Sequence, residues 1–126
     1  MLAATLIAFT STAMLTSARA DIADYEFQLV DAAPKTGEAI LSVRLVNKNT
    51  GKTVPEAVII ATRIDMAPDG MDSMTSSIEA MPSVEPGIYR FKADLMMAGR
   101  WRLSLGAKVQ GETGTVESRL TLKAAK

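Results

Sequence analysis

From Ile88 onward the chain alternates. Tyr89 and Phe91 are interleaved with Arg90 and Lys92, Trp101, Leu103 and Leu105 with Arg102 and Ser104, and Val116, Leu120 and Leu122 mark a last apolar run. A period of two places apolar side chains on one face of a strand and polar ones on the other. Earlier segments read the same way. Tyr25 to Val30 is a first candidate strand, and Ala39 to Val46 puts Leu41, Val43 and Leu45 on one face. Ala57 to Ile64 is β-branched and apolar on both faces near its middle, which suits a central strand. Thr75 to Ala80 is a further short strand. Turn residues separate these runs: Pro34-Lys35-Thr36-Gly37, the polar stretch Asn47 to Lys52, Pro82 to Gly87, and Gly111 to Gly114. About seven short strands in roughly 100 residues predict an all-β, immunoglobulin-like antiparallel sandwich. Tyr89, Phe91, Trp101, Leu103 and Leu105 are its expected core, and Pro86-Gly87-Ile88-Tyr89 resembles the approach to a tyrosine corner.

The 126 residues suffice for one domain. Leu2 to Met14 is mostly apolar, and Ala18-Arg19-Ala20 gives an A-x-A cleavage pattern. This predicts a signal peptide over 1–20, a domain over 21–126, and a periplasmic location without a membrane span after cleavage. The apolar run is shorter than the ~20 residues a spanning helix needs, and Thr and Ser interrupt it; a retained anchor is the competing reading. Basic and acidic residues number 14 each, and loss of Arg19 leaves one excess acid. A nucleic-acid partner demands a basic surface, so this balance argues against one.

The chain has no cysteine and no histidine. Disulfides, cysteine-linked lipids, cysteine nucleophiles and histidine-based triads are thereby excluded. No Gly-rich phosphate loop is present either, and the chain reads as a non-enzyme. Soft-metal chemistry would have to use methionine sulfur, of which there are eight residues. Met66, Met71 and Met74 fall within Asp65-Met66-Ala67-Pro68-Asp69-Gly70-Met71-Asp72-Ser73-Met74. A turn centred on Pro68-Asp69-Gly70 could fold these sulfurs toward one point, with Met81 returning nearby. Thioethers select Cu(I), or its mimic Ag(I), over harder ions. The predicted metal ligands are Met66, Met71 and Met74, with Met81 as auxiliary. A single methionine usually fills a core gap. Three in nine residues, among Asp, Pro, Gly and Ser, read instead as an exposed loop. Met96 and Met97, read as adjacent strand residues on opposite faces, are expected to be core or loop filler. Asp65, Asp69 and Asp72 would attract a cation or stabilise the turn.

Three pieces of the chain resemble the YtkA-like/FixH-like family of small extracytoplasmic β-sandwich domains. They are Asp65-Met66-Ala67-Pro68-Asp69-Gly70-Met71, Pro86-Gly87-Ile88-Tyr89-Arg90-Phe91 and Met97-Ala98-Gly99-Arg100-Trp101, and the likeness runs over roughly residues 38 to 122. Similar domains accompany copper efflux systems, sometimes fused to the periplasmic adaptor, or the assembly of copper-containing oxidases. The resemblance implies a periplasmic copper-handling accessory, with a periplasmic adaptor or membrane transporter as partner. The alternative is an interaction module that docks through its Met-Pro loop without metal, using methionine as an adaptable apolar contact.

Overall fold

Eight strands form two four-stranded sheets. The structure is a computed structural model that describes residues 22–83 and 85–126. The strands are β1 (Tyr25–Leu29), β2 (Gly37–Asn47), β3 (Val58–Met66), β4 (Met71–Ser76), β5 (Ile78–Met81), β6 (Ile88–Leu95), β7 (Gly99–Lys108) and β8 (Val116–Ala124). One sheet has the order β1-β2-β6-β5 and the other β4-β3-β7-β8. All named strand pairs are antiparallel. The two orders are those of an immunoglobulin-type sandwich with one extra edge strand. The expected signal peptide, its cleavage pattern and the competing anchor lie outside the described residues. Among the described residues, no helix is long and apolar enough to cross a membrane.

The alternation seen in the sequence is what closes the core. Leu41, Val43 and Leu45 of β2 and Phe91, Ala93 and Leu95 of β6 are buried from one sheet. Ile64 and Met66 of β3, Trp101, Leu103 and Leu105 of β7, and Leu122 of β8 are buried from the other. Leu41 pairs with Phe91, and Trp101 with Leu122, so each inner face is matched across neighbouring strands. Trp101 is fully buried, and its indole N–H donates to the Met97 carbonyl at 3.1 Å. That bond satisfies the one polar atom the ring carries into the core.

Two expectations change. Tyr89 is half-buried rather than buried. Its ring meets Phe27 edge-on at 6.2 Å, while its hydroxyl donates to Val54 O at 2.8 Å and accepts from Ala57 N–H at 2.9 Å. The phenol therefore has to reach the β2–β3 connection, which keeps it at the sandwich margin. The single strand expected over Thr75 to Ala80 is two strands in different sheets. β4 pairs only with Ile64, Asp65 and Met66 of β3. The chain then crosses at Ser77, whose carbonyl accepts from Asp94 N–H at 3.3 Å, and pairs with β6 as β5. The crossing hid from the sequence because Thr75-Ser76-Ser77 holds neither Gly nor Pro, and its Ser and Thr side chains also suit a strand's polar face.

Tyr89→Phe should cost about 1–2 kcal/mol in urea unfolding, because it strips partners from Val54 O and Ala57 N–H together. Unchanged stability would mean that the β2–β3 connection is held by other contacts.

Candidate functional site

The methionine segment is a tight turn at one end of the sandwich. β3 ends at Met66, a single 3-10 turn covers Ala67–Asp69, and β4 starts at Met71. Pro68 sits at the start of that turn, where its fixed φ is suited and its missing N–H costs nothing. Gly70 closes the turn in the left-handed region at φ 75°, and its N–H donates to Ala67 O at 2.9 Å. Met66 and Met71 face each other in register, with an irregularity between Asp65 and Met66. Only the four residues 67–70 depart from the strands. The turn expected at Pro68-Asp69-Gly70 is therefore present, but it closes a hairpin whose methionines lie on strands rather than in an exposed loop.

Two carboxylates seat this turn. Asp65 is fully buried. It accepts from Arg63 Nε at 2.9 Å, Arg102 Nη2 at 3.1 Å and the Ala67 backbone N–H at 2.9 Å. Arg63 also donates through Nη2 to Asp72 O at 3.0 Å, which ties β3 to β4. Arg102 reaches Asp65 through Nη2 alone, and its Nε is buried without a hydrogen-bond partner among the described residues. Asp69 accepts from the Arg100 backbone N–H at 2.8 Å and from Arg100 Nε at 2.8 Å, while Arg100 Nη2 donates to Pro68 O at 2.8 Å. The turn is thus clamped onto the start of β7. Gly99 makes room for it: a Cβ there would lie 2.6 Å from Asp69 Oδ2 and 2.7 Å from Met66 Cε.

Of the four predicted ligands, Met66 is fully buried within the hydrophobic core. Met71 and Met74 are half-buried and pack against it. Met81 lies on β5, in the other sheet, paired with Arg90. It lines a groove with Pro55, Ile59, Pro86 and Tyr89. Counted along β6, six residues separate the level of Met81 from Met96, about 20 Å at strand rise. The structure brings Met66 and Met71 together and places Met81 toward the opposite end.

Met96 and Met97, expected as filler, are the exposed thioethers among the described residues. They occupy the turn between β6 and β7, with 54% and 41% of their surface exposed. Because the chain is turning there, the rule that adjacent strand residues face opposite ways does not apply. This turn leads into Gly99, which touches Met66, so Met66, Met71, Met96 and Met97 share one end of the sandwich. The signal available in the sequence was Ala98-Gly99 before Trp101, which marks Met96-Met97 as the approach to a turn. Asp65 and Asp69 are engaged in the clamp, the turn-stabilising alternative considered for them above. Among the described residues, no group of three or more carboxylates is placed to hold a hard cation.

Burial pushes the Asp65 carboxyl up, but the Ala67 N–H and the Arg63 and Arg102 guanidiniums outweigh it and hold the group below the usual carboxylate range. The Arg100 N–H and guanidinium do the same for Asp69. Depressed folded values mean that both groups add stability above their unfolded value, about 3.9, and that this is lost as pH falls through the lower folded value. Urea midpoints should be level from pH 7 to about 5 and should fall below about 4. Asp65→Asn should lower the plateau by about 2 kcal/mol and shallow the acid limb. An unchanged acid limb would assign the acid sensitivity to other carboxylates.

A family model for YtkA-like proteins matches residues 19–106. No curated protein matches the chain. Among solved structures, the ZirS C-terminal domain is similar at a TM-score of 0.48 and 10% identity, over 100% of this chain and 83% of that one. The match over most of its length identifies the chain as a member of the YtkA-like family.

Proposed function

We propose that this protein is a periplasmic copper-handling accessory that binds Cu(I), with Ag(I) as its mimic, through thioethers at the turn end of the sandwich. The observation that carries this reading is the exposure of two adjacent methionines, Met96 and Met97, beside the Met66–Met71 hairpin, in a chain without cysteine or histidine. Large apolar side chains left in water gain nothing for the fold. Thioethers left there keep their lone pairs available to a soft cation. Met71, Met96 and Met97 are the proposed principal ligands, Met74 is an auxiliary, and Met66 forms the core floor beneath them. The half-buried Met81 stands apart. The Ala18-Arg19-Ala20 pattern supports export, and a periplasmic adaptor or membrane transporter is the proposed recipient of the ion.

The same exposed pair supports the reading of a metal-free docking module, since flexible methionines adapt to apolar partners. Titration separates the two. The protein should compete with a Cu(I) indicator and bind Ag(I), yet leave a Zn(II) indicator untouched. Affinity should be level between about pH 7.5 and 5.5, because thioethers carry no proton to lose.

Combined replacement of Met71, Met96 and Met97 by Leu should abolish binding at a stability cost under about 1.5 kcal/mol per site. Met66→Leu should change the melting temperature and leave affinity alone. Copper binding that survives the triple variant would reject these ligands, and a wild-type protein that binds neither Cu(I) nor Ag(I) would favour the docking module.

A further inference from the structure

The methionines whose surroundings the structure describes fall into three grades of access. Met66 is fully covered; Met71, Met74 and Met81 are half-buried; Met96 and Met97 stand 54% and 41% exposed. Access to sulfur sets how fast a thioether is oxidised. We infer that Met96 and Met97 form a reversible sulfoxidation site, and that its oxidation switches off soft-metal binding at this end of the sandwich. The second half of this inference rests on the function proposed above.

The oxidant is a peroxide. A sulfur lone pair attacks the terminal peroxide oxygen, the O–O bond breaks, and hydroxide leaves. The hydroxysulfonium then gives up its proton, so one sulfoxide and one water are formed. Sulfur loses two electrons and the peroxide gains them. A methionine sulfoxide reductase for each sulfoxide epimer returns the thioether: two thiols supply two electrons and two protons, the oxygen leaves as water, and the thiols become a disulfide.

The turn can accept this change. Met97 is tied to the fold through its backbone carbonyl, which takes the Trp101 indole N–H, and the residue is 41% exposed. The clamp on the neighbouring turn runs through Asp69, Arg100 and Gly99, none of which is oxidised. Water can reach a sulfoxide at either position, and neither residue belongs to the hydrophobic core. As a ligand the change is large: one of the two sulfur lone pairs becomes the S–O bond, the pair that remains is a weaker donor on an oxidised sulfur, and the new exposed donor is a hard oxygen that suits Cu(I) poorly. Met66 is the internal control, since its methyl is packed against Gly99 and the core.

The full protein would be treated with hydrogen peroxide, sampled over time, and mapped by peptide mass spectrometry. Met96 and Met97 should be oxidised at least about tenfold faster than Met66, with Met71, Met74 and Met81 between. Ag(I) titration before and after the fast phase should show binding lost on oxidation and regained after reductase treatment, with an unchanged melting temperature. The Met96→Leu/Met97→Leu variant should lack the fast phase.

Oxidation of Met66 or Met71 at the rate of Met96 and Met97 would overturn the site. Equal Ag(I) binding before and after oxidation would overturn the switch while leaving the proposed function standing. No Ag(I) binding before oxidation would remove the proposed function and the switch together, even with the fast phase observed.

Discussion

Everything at the turn end hangs on one buried carboxylate. Asp65 lies at the last outward-facing position of β3, where a fully covered charge without partners would cost several kcal/mol. It is satisfied from three directions: along its own strand by Arg63, across the sheet by Arg102, and ahead by the Ala67 amide. The last bond fixes where β3 stops and the 3-10 turn begins. The same Arg63 then reaches Asp72 O on β4, so the charge that neutralises Asp65 also holds the returning strand. Met66 is pressed inward and Met71 is set opposite it as a result of this arrangement.

The methionines consequently divide their work by depth. Met66 uses its flexible thioether to fill a core position against Gly99, a role any gap-filling methionine can have. Met71 and Met74 cover the margin of the core. Met96 and Met97, 54% and 41% exposed, are the most open of the methionines described. The compositional richness that marked residues 66–74 and the chemical availability that marks 96–97 thus belong to different stretches of chain, brought to one end by the turn that carries the chain from β6 in one sheet to β7 in the other.

Much of the sandwich was legible because alternation maps directly onto burial. Leu41, Val43 and Leu45, and Trp101, Leu103 and Leu105, face inward as their spacing requires. The family was legible from Met66-Ala67-Pro68-Asp69-Gly70-Met71 and the later Gly-x-Tyr and Gly-x-Trp pieces. What misled was density. Acids, Pro and Gly around Met66 suggested solvent, yet Asp65 and Asp69 are bound to arginines thirty or more residues later in the chain. Such pairings depend on how β3 and β7 come together, and no local window contains them. The exposed Met96 and Met97 were missed for the opposite reason: a two-methionine step inside an apolar run resembles strand interior until the turn at Gly99 is recognised.

The crossing at Ser77 has a consequence for how the molecule assembles. One run of chain, Met71 to Met81, supplies an edge to both sheets. Neither sheet can gain its full set of strands while the other is apart, so the two layers become complete in the same event. Four pairings form between strands that follow one another in the chain, but β2–β6 and β3–β7 join segments far apart in sequence. Such distant closures slow folding, because loop entropy is lost before the contacts that repay it are formed. A chain built this way opens as one cooperative unit, and slippage of the run by a single residue would turn inward side chains outward in both layers simultaneously.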